Sequence, residues 1–216
     1  MKVLISGASG LIGTELAKQL SALGHQPIRL VRRPVKSADE MFWAPGISDL
    51  DPNSLSDIDA VINLAGATTG KIPWTKTYER ELISSRLDST KTLVDAINAC
   101  PNPPKVLISG SASGIYGDQG DAWLDESSPK GEGFLADLAY KWEEAAKLAK
   151  TRVVLVRTTM VMSKQLGALG KLLPLIKLGI GGALGSGKQW WAWIALEDQA
   201  RAIIHLIENE STSGAY

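Results

Sequence analysis

The chain has 216 residues, of which 44% are hydrophobic and 21% are charged, a composition typical of a folded globular protein and not of a disordered one. Lys+Arg and Asp+Glu number 23 each. No net field would therefore attract nucleic acid or an acidic membrane surface, and we expect neither as a partner. The one cysteine, Cys100, excludes an internal disulfide and a cysteine-rich metal site, which favours the cytoplasm and no metal. The start of the chain lacks the apolar core of a signal peptide, and no apolar run has transmembrane length.

Short apolar runs rich in β-branched residues alternate with longer stretches of helical period. This alternation predicts an α/β fold, a Rossmann-like doubly wound parallel sheet with helices on both faces. The strands are predicted over 2–6, 27–31, 60–66, 105–110 and 152–157, and the helices over 11–24, 77–99, 134–150 and 194–209.

Two parts of the chain are expected from this pattern. Residues 1–162 would form the dinucleotide-binding domain, and residues 163–216 would begin a smaller substrate-facing region, followed by a returning helix and the start of another strand. Glycines break the alternation after residue 163. A cluster of tryptophans, Trp190, Trp191 and Trp193, suggests either core packing or a wall for a ligand or an apolar interface, which leaves a homodimer open.

The segment LISGASGLIGTEL places Gly7, Gly10 and Gly13 between the first strand and the first helix. In this setting the first glycine permits a tight turn, the second lets backbone N–H groups approach a diphosphate, and the third allows close packing of helix on strand. The loop therefore predicts a dinucleotide site, the alternative being a turn that serves packing alone. The other loop residues assigned to this site are Ala8, Ser9, Leu11 and Ile12.

Two arginines directly follow the second predicted strand. An acidic residue there would bind the ribose 2′-OH of NAD, but this chain has Arg32 and Arg33, with no acid before Asp39. Two guanidinium groups suit the 2′-phosphate of NADP in charge and geometry. We therefore predict NADP as the cofactor; the alternative is a solvated pair on a loop.

With this glycine loop, the segments INLAGA (62–67) and SASGIYGD (111–118) make the chain resemble the extended short-chain dehydrogenase/reductase superfamily, and most closely its sugar-nucleotide epimerase-like branch. The resemblance covers essentially the whole chain. Members of that branch continue well beyond the position of Tyr216, so the resemblance implies a C-terminally shortened chain.

The resemblance also implies further cofactor contacts. Leu64, Ala65 and Gly66 would lie along the adenine–ribose side of the cofactor, while Glu81 and Arg86 would point back toward it from the long helix. A structural ion pair between Glu81 and Arg86 is the rival interpretation.

The catalytic pair of the superfamily is missing. Its members use a tyrosine that exchanges a proton with the substrate oxygen, and a lysine one helical turn later that lowers the pKa of the phenol. Here the two positions fall near Leu135 and Ala139, and no Tyr-x-x-x-Lys occurs anywhere in the chain. Tyr140 and Lys141 are adjacent, so a helix points them in different directions.

An alternative proton donor is Tyr116, with Ser111 or Ser113 orienting the substrate; Tyr116 could equally be a packing residue. The function expected is that of an NADP(H)-binding, atypical short-chain dehydrogenase/reductase. It would act as a nucleotide-sugar epimerase or a carbonyl reductase on an unidentified small polar molecule. The alternative is an NADP-responsive binding or regulatory protein that has lost turnover.

Overall fold

The computed structural model describes residues 1–71, 73–164, 167–182 and 185–216. These residues form nine strands and five α-helices. The strands are β1 (Lys2–Ser6), β2 (Gln26–Val31), β3 (Glu40–Phe42), β4 (Ala60–Asn63), β5 (Val106–Ala112), β6 (Arg152–Thr158), β7 (Met160–Met162), β8 (Trp193–Ala195) and β9 (Gly214–Ala215). The helices are α1 (Leu11–Ala22), α2 (Lys76–Ala99), α3 (Phe134–Ala146), α4 (Gly167–Lys177) and α5 (Leu196–Glu208).

Seven strands form one sheet in the order β3-β2-β1-β4-β5-β6-β9, and every pairing in it is parallel. The chain runs outward from β1 in one direction to β3 and then returns to β4 on the other side of β1. The strand order therefore reverses between β1 and β4, which in open α/β sheets is where a ligand crevice forms at the carboxyl ends of the strands.

Both faces of the sheet are covered by helices. Along β1 the side chains alternate, so that Leu4 packs in the core beneath α2 and α3, while Val3 and Ile5 pack in the core beneath α1 and α5. This period of two is what a strand buried on both faces requires. The predicted Rossmann-like doubly wound sheet is confirmed.

A glycine ends α1, and an arginine side chain satisfies the last carbonyl groups of α5. Gly24 adopts a φ of +79° just after α1, and the N–H of His25 donates to the carbonyl of Leu20 at 2.9 Å, which is the way a glycine commonly ends a helix. The guanidinium of Arg152 donates to the carbonyls of Leu206 and Ile207, each at 3.0 Å, and so satisfies carbonyl groups at the end of α5 that the helix itself leaves unpaired.

The segment after β6 was the least well predicted. β7 and β8 form a separate two-stranded parallel sheet, and α4 was not predicted because its glycines and the internal Pro174 obscure a helical pattern. α5 and β9 return to the main fold, where α5 packs beside α1 and β9 pairs with β6. The strand expected at the end of the chain is thus present.

Within the described ranges, none of the helices combines the length and the apolarity that crossing a membrane requires. The same residues hold no group of three or more His, Cys, Asp and Glu side chains placed to bind a metal ion.

Candidate functional site

The loops that follow β1, β4 and β5 meet at the carboxyl edge of the sheet. Gly7, the first residue after β1, has a φ of +68°, a conformation that favours glycine. A Cβ atom on Gly7 would lie 2.5 Å from the carbonyl oxygen of Leu64, and one on Gly13 would lie 2.4 Å from the carbonyl oxygen of Gly7. Gly7 therefore lets the β1–α1 turn pack directly on the chain that follows β4, and Gly13 lets the start of α1 pack directly on that turn.

The start of α1 has free donors. Gly10 occupies the N-cap position, and no side chain accepts a hydrogen bond from the first turn of the helix. That turn, which begins at Leu11 and contains Ile12, carries no acidic residue, and Ser9 and Gly10 are exposed beside it, whereas Ala8 is buried. An uncapped helix N-terminus presents N–H groups and partial positive charge, which together bind an anion.

The arginines after β2 are not equivalent. Arg33 makes a two-pronged ion pair with Glu40 of β3, at 2.8 and 2.7 Å, while Arg32 is exposed and forms no hydrogen bond or ion pair within the described chain. Glu40 also accepts the backbone N–H of Lys36 at 2.9 Å. The hydrogen bonds from Arg33 and from this N–H lower the pKa of Glu40 to about 2, so the carboxylate stays charged.

Glu40 was missed by sequence reasoning because it follows Arg33 by seven residues, and only the pairing of β3 with β2 brings the two together. Its side chain is only 4% exposed, so a ligand has little access to its oxygens. Asp39 pairs with Arg29 at 2.6 Å. Both acids near the end of β2 are therefore engaged with arginines of the protein itself.

A buried polar chain supports the floor of the crevice. The hydroxyl of Ser6 donates to Asn63 at 2.6 Å and accepts the N–H groups of Leu64 and Ala65 at 3.1 and 3.2 Å. Asn63 donates to Thr90 of α2 at 2.9 Å. These bonds fix the path of the backbone after β4, where Leu64, Ala65 and Gly66 were predicted to line the site.

The two predicted contacts from α2 lie in different places. Arg86 lies against Gly66, since a Cβ there would approach its Cζ to 3.1 Å, and it donates to the carbonyls of Leu82 and Ala67 at 3.0 and 3.1 Å. Glu81 is exposed, and the pair forms no salt bridge in the part of the chain that the structure covers. The rival ion-pair interpretation is therefore wrong, and only Arg86 lies at the crevice.

Two of the three predicted catalytic hydroxyls belong to one buried network. Ser111 donates to Glu143 of α3 at 2.6 Å, and Arg157 binds both oxygens of that carboxylate at 2.9 and 3.0 Å. Arg157 also donates to the hydroxyl of Tyr116 at 2.9 Å. Ser113 is half-buried, and its hydroxyl has no partner among the described residues.

This network is desolvated but balanced in charge. The side chain of Glu143 is 1% exposed and that of Arg157 is 13% exposed. Burial by itself raises the pKa of Glu143, but the hydrogen bonds from Arg157 and Ser111 outweigh it and the net pKa is lowered. The hydrogen bond to Glu143 raises the pKa of Arg157. Both groups therefore remain ionised, as a buried ion pair with full hydrogen bonding should.

The adjacent Tyr140 and Lys141 are both exposed on α3, so neither side chain points into the crevice. At the two positions where the catalytic pair was expected, Leu135 is exposed and Ala139 is buried against Ile115 and Tyr116. A displaced Tyr–Lys pair is therefore absent from α3.

The tryptophan cluster does not pack in the core. Trp190, Trp191 and Trp193 are 77%, 43% and 64% exposed, so the core-packing interpretation is wrong. Trp190 donates to Asp121 at 2.7 Å, which joins this segment to the loop that follows Tyr116. Whether these rings form a wall beside a ligand stays a prediction; residues 165–166 and 183–184 of the expected substrate-facing region lie outside the described residues.

Comparison with known proteins places this geometry in a family. Residues 3–216 match the family model described as the NAD dependent epimerase/dehydratase family. An epimerase family protein of Mycobacterium leprae, ML0860, is 39% identical over 215 residues, which cover 98% of this chain and 69% of that protein.

Two solved structures of epimerases are also similar to this chain. The human epimerase family protein SDR39U1 (isoform 2) with NADPH is similar over 100% of this chain and 72% of its own, with 34% identity and a TM-score of 0.89. The nucleoside-diphosphate sugar epimerase of Corynebacterium glutamicum is similar over the whole of this chain and 45% of its own, with 32% identity and a TM-score of 0.87.

Proposed function

The chain belongs to the NAD dependent epimerase/dehydratase family, and on that premise we propose that it binds NADP(H) across the carboxyl edge of the main sheet. The observation that carries the proposal is the pairing of an uncapped α1 N-terminus with an exposed Arg32. The similarity to a human protein whose structure contains NADPH supports the same cofactor.

The glycine loop would hold the diphosphate. The N–H groups of the first turn of α1 would donate to it, and the lack of side chains at Gly7, Gly10 and Gly13 would allow the close approach. Leu64, Ala65 and Gly66 would lie along the adenine–ribose side, and Arg86 of α2, which lies against Gly66, would be the remaining contact. Glu81 is exposed and is left out of the proposed site.

Arg32 and Arg33 would bind the 2′-phosphate. Glu40 keeps Arg33 in a fixed orientation, and its side chain is only 4% exposed, so a ribose 2′-OH would not reach it. This supports NADP over NAD. Arg32, with all five donors free, would make the main contact with the phosphate.

The test is the double substitution Arg32→Ala plus Arg33→Ala, with NADPH and NADH affinities measured by calorimetry. We expect NADPH to lose about 10- to 100-fold and NADH less than about threefold. Arg80→Ala, which removes an exposed arginine from α2, should change neither. Equal losses for the two cofactors would contradict the 2′-phosphate assignment.

For the chemistry, we propose interconversion of a carbonyl and an alcohol on a small polar molecule, a sugar nucleotide being one such molecule. The bound nicotinamide would supply or take up the hydride. Ser113 would hydrogen-bond the substrate oxygen. Tyr116, whose oxygen accepts from Arg157, keeps its own proton to donate to that oxygen, and Ser111 would hold the carboxylate beneath them.

A second candidate is an NADP-responsive binding protein without turnover. The observation that favours it is the network in which Ser111 and Tyr116 are already bonded to Glu143 and Arg157, together with the missing Tyr-x-x-x-Lys. NADPH oxidation against a panel of aldehydes, ketones and nucleotide sugars separates the two functions. Tight NADPH binding with no oxidation of any panel member would support the binding protein.

A cytoplasmic location and a homodimer are part of the same proposal. They are supported by the single cysteine and by the exposed tryptophan cluster. Light scattering of the purified chain, with and without NADPH, tests the dimer: a monomeric mass in both states would contradict it.

A further inference from the structure

The loop between Tyr116 and α3 is exposed along most of its length. Every residue of 117–127 is exposed, and the side chain of Trp123 is fully so. The two ends of the loop meet, because a Cβ on Gly131 would lie 2.0 Å from the carbonyl oxygen of Tyr116. We name residues 117–130 the strap. A surface loop whose ends are close together in this way often carries function.

The base of the strap lies at the carboxyl ends of β5 and β6. Arg157 is paired in register with Ser111 near the ends of these two strands. Its guanidinium donates to the carbonyl of Glu126 in the strap and to the hydroxyl of Tyr116, each at 2.9 Å. The strap is therefore anchored at the edge of the sheet that carries the crevice, on its β5–β6 side.

The segment before β8 reaches the same edge. β7 begins two residues after the end of β6 and pairs with β8, and the hydroxyl of Thr159 donates to the carbonyl of Ala192 at 2.5 Å. Close to this contact, the indole N–H of Trp190 donates to the carboxylate of Asp121 in the strap at 2.7 Å. This bond joins the strap to the expected substrate-facing region across the ends of β5 and β6.

The tip of the strap, residues 118–124, is weakly held. Within the described ranges, Trp190 supplies its hydrogen bond to a side chain elsewhere in the fold, and its other bonds stay within the loop or reach the base of the loop. Trp190 is 77% exposed, so water competes for both partners of the bond. A hydrogen bond in that setting contributes little and breaks readily.

We propose that the strap is a lid over the β5–β6 side of the crevice, and that the hydrogen bond between Asp121 and Trp190 is its latch. Opening of the lid admits the substrate, and the latched lid keeps water from the reacting end of a bound NADP(H). An exposed and weakly held segment is the part of a fold that can move in this way. The inference rests on the proposed function, which places the chemistry beside Tyr116.

The first experiment tests the latch in the free chain by NMR. In the isotope-labelled chain, the indole N–H resonance of Trp190 is the one that Trp190→Phe removes. We expect Asp121→Ala to shift this resonance and to change the relaxation dispersion of the strap amides, which reports opening on the microsecond to millisecond timescale. Glu126→Ala, which removes another exposed carboxylate of the strap, and Trp123→Phe should leave the Trp190 resonance in place.

The second experiment tests whether the latch slows release of the cofactor. NADPH release is followed by stopped-flow fluorescence. We expect Asp121→Ala and Trp190→Phe each to speed release about three- to tenfold, with little change in the rate of association. The double substitution should be no faster than either single one, because both remove the same bond. Glu126→Ala should release NADPH as the unchanged chain does.

Both latch residues are exposed, so these variants should keep the melting temperature of the unchanged chain. The proposal is overturned if Asp121→Ala leaves the Trp190 resonance in place, if neither latch substitution speeds NADPH release, or if their effects multiply in the double substitution. If the unchanged chain binds no NADPH, the proposed function fails. The dispersion of the strap amides in the free chain then decides between a latched, opening strap and a fixed surface loop, and the latter result would reject the lid.

Discussion

On the β1–β2 side of the crevice, the first-turn N–H groups of α1 and the guanidinium of Arg32 have no partner within the described chain. On the β5–α3 side, the hydroxyls of Ser111 and Tyr116 are already bonded to Glu143 and Arg157. Free donors are a property of a binding surface, while a closed network stabilises the fold. The comparison shows that the residues best placed to bind a ligand are those that the fold leaves unpaired.

The largest effect should come from Gly7→Ala. The added Cβ would lie 2.5 Å from the Leu64 carbonyl oxygen, at a φ of +68°, so the β1–α1 turn must move. We expect NADPH affinity to fall by about 100-fold or more and the free energy of unfolding to fall by about 2–4 kcal/mol. Calorimetry and urea unfolding measure the two.

Gly24→Ala is the matched control, because Gly24 also has a positive φ, +79°, but no atom lies within 4 Å of the added Cβ. Gly24→Ala should lower the free energy of unfolding by about 1–2 kcal/mol and leave NADPH affinity unchanged. If both variants bind NADPH normally, the glycine loop is a packing turn and the β1–β2 side is not the cofactor site.

The next effect concerns the β5–α3 side. Glu143→Ala leaves Arg157 buried without its counter-charge, and the free energy of unfolding should fall by about 3–5 kcal/mol. NADPH affinity should change by less than about threefold. Urea unfolding and calorimetry check both. Glu144→Ala, which removes an exposed carboxylate paired with Lys147, should cost less than about 1 kcal/mol. Equal costs for the two substitutions would contradict a stabilising network.

The pH dependence of stability tests whether Glu143 stabilises the β5–α3 side as an ionised carboxylate. The folded pKa of Glu143 is lowered, so its stabilising contribution is fully present above its unfolded pKa of about 4.3 and is lost as the pH falls through the lower folded value. The stability difference between the unchanged chain and Glu143→Gln should therefore be constant from pH 7 to 5 and shrink below about pH 4. Urea unfolding from pH 7 to 3 measures it. A difference that stays constant down to pH 3 would show that the carboxylate is not ionised in the network.

The smallest effect is expected on the exposed face of α3. Tyr140→Phe and Lys141→Met should each change the free energy of unfolding by less than about 0.5 kcal/mol and leave NADPH affinity unaltered, because both side chains are exposed. Thermal unfolding and calorimetry are sufficient. If either variant lost NADPH oxidation, the conclusion that Tyr140 and Lys141 do not form a displaced catalytic pair would be wrong.

The fold could be predicted from the sequence because the strands are buried on both faces and show as short apolar runs. The glycine loop could be placed because its spacing sits between a strand and a helix. Strand β3 could not be predicted, since it is three residues long and the pairing that brings Glu40 to Arg33 is a tertiary contact. The partners of Ser111 could not be predicted for the same reason: Glu143 is 32 residues away along the chain.

Hydrogen bonds run from Ser6 through Asn63 and Thr90 to Trp142, and so tie together two central strands and the two helices above them. These strands and helices cannot move apart without breaking several of these hydrogen bonds at once and leaving buried polar atoms unsatisfied. Amide protons along it should be among the slowest to exchange in the molecule. Any closing movement around a ligand must then come from the rim of the crevice, with the base remaining still.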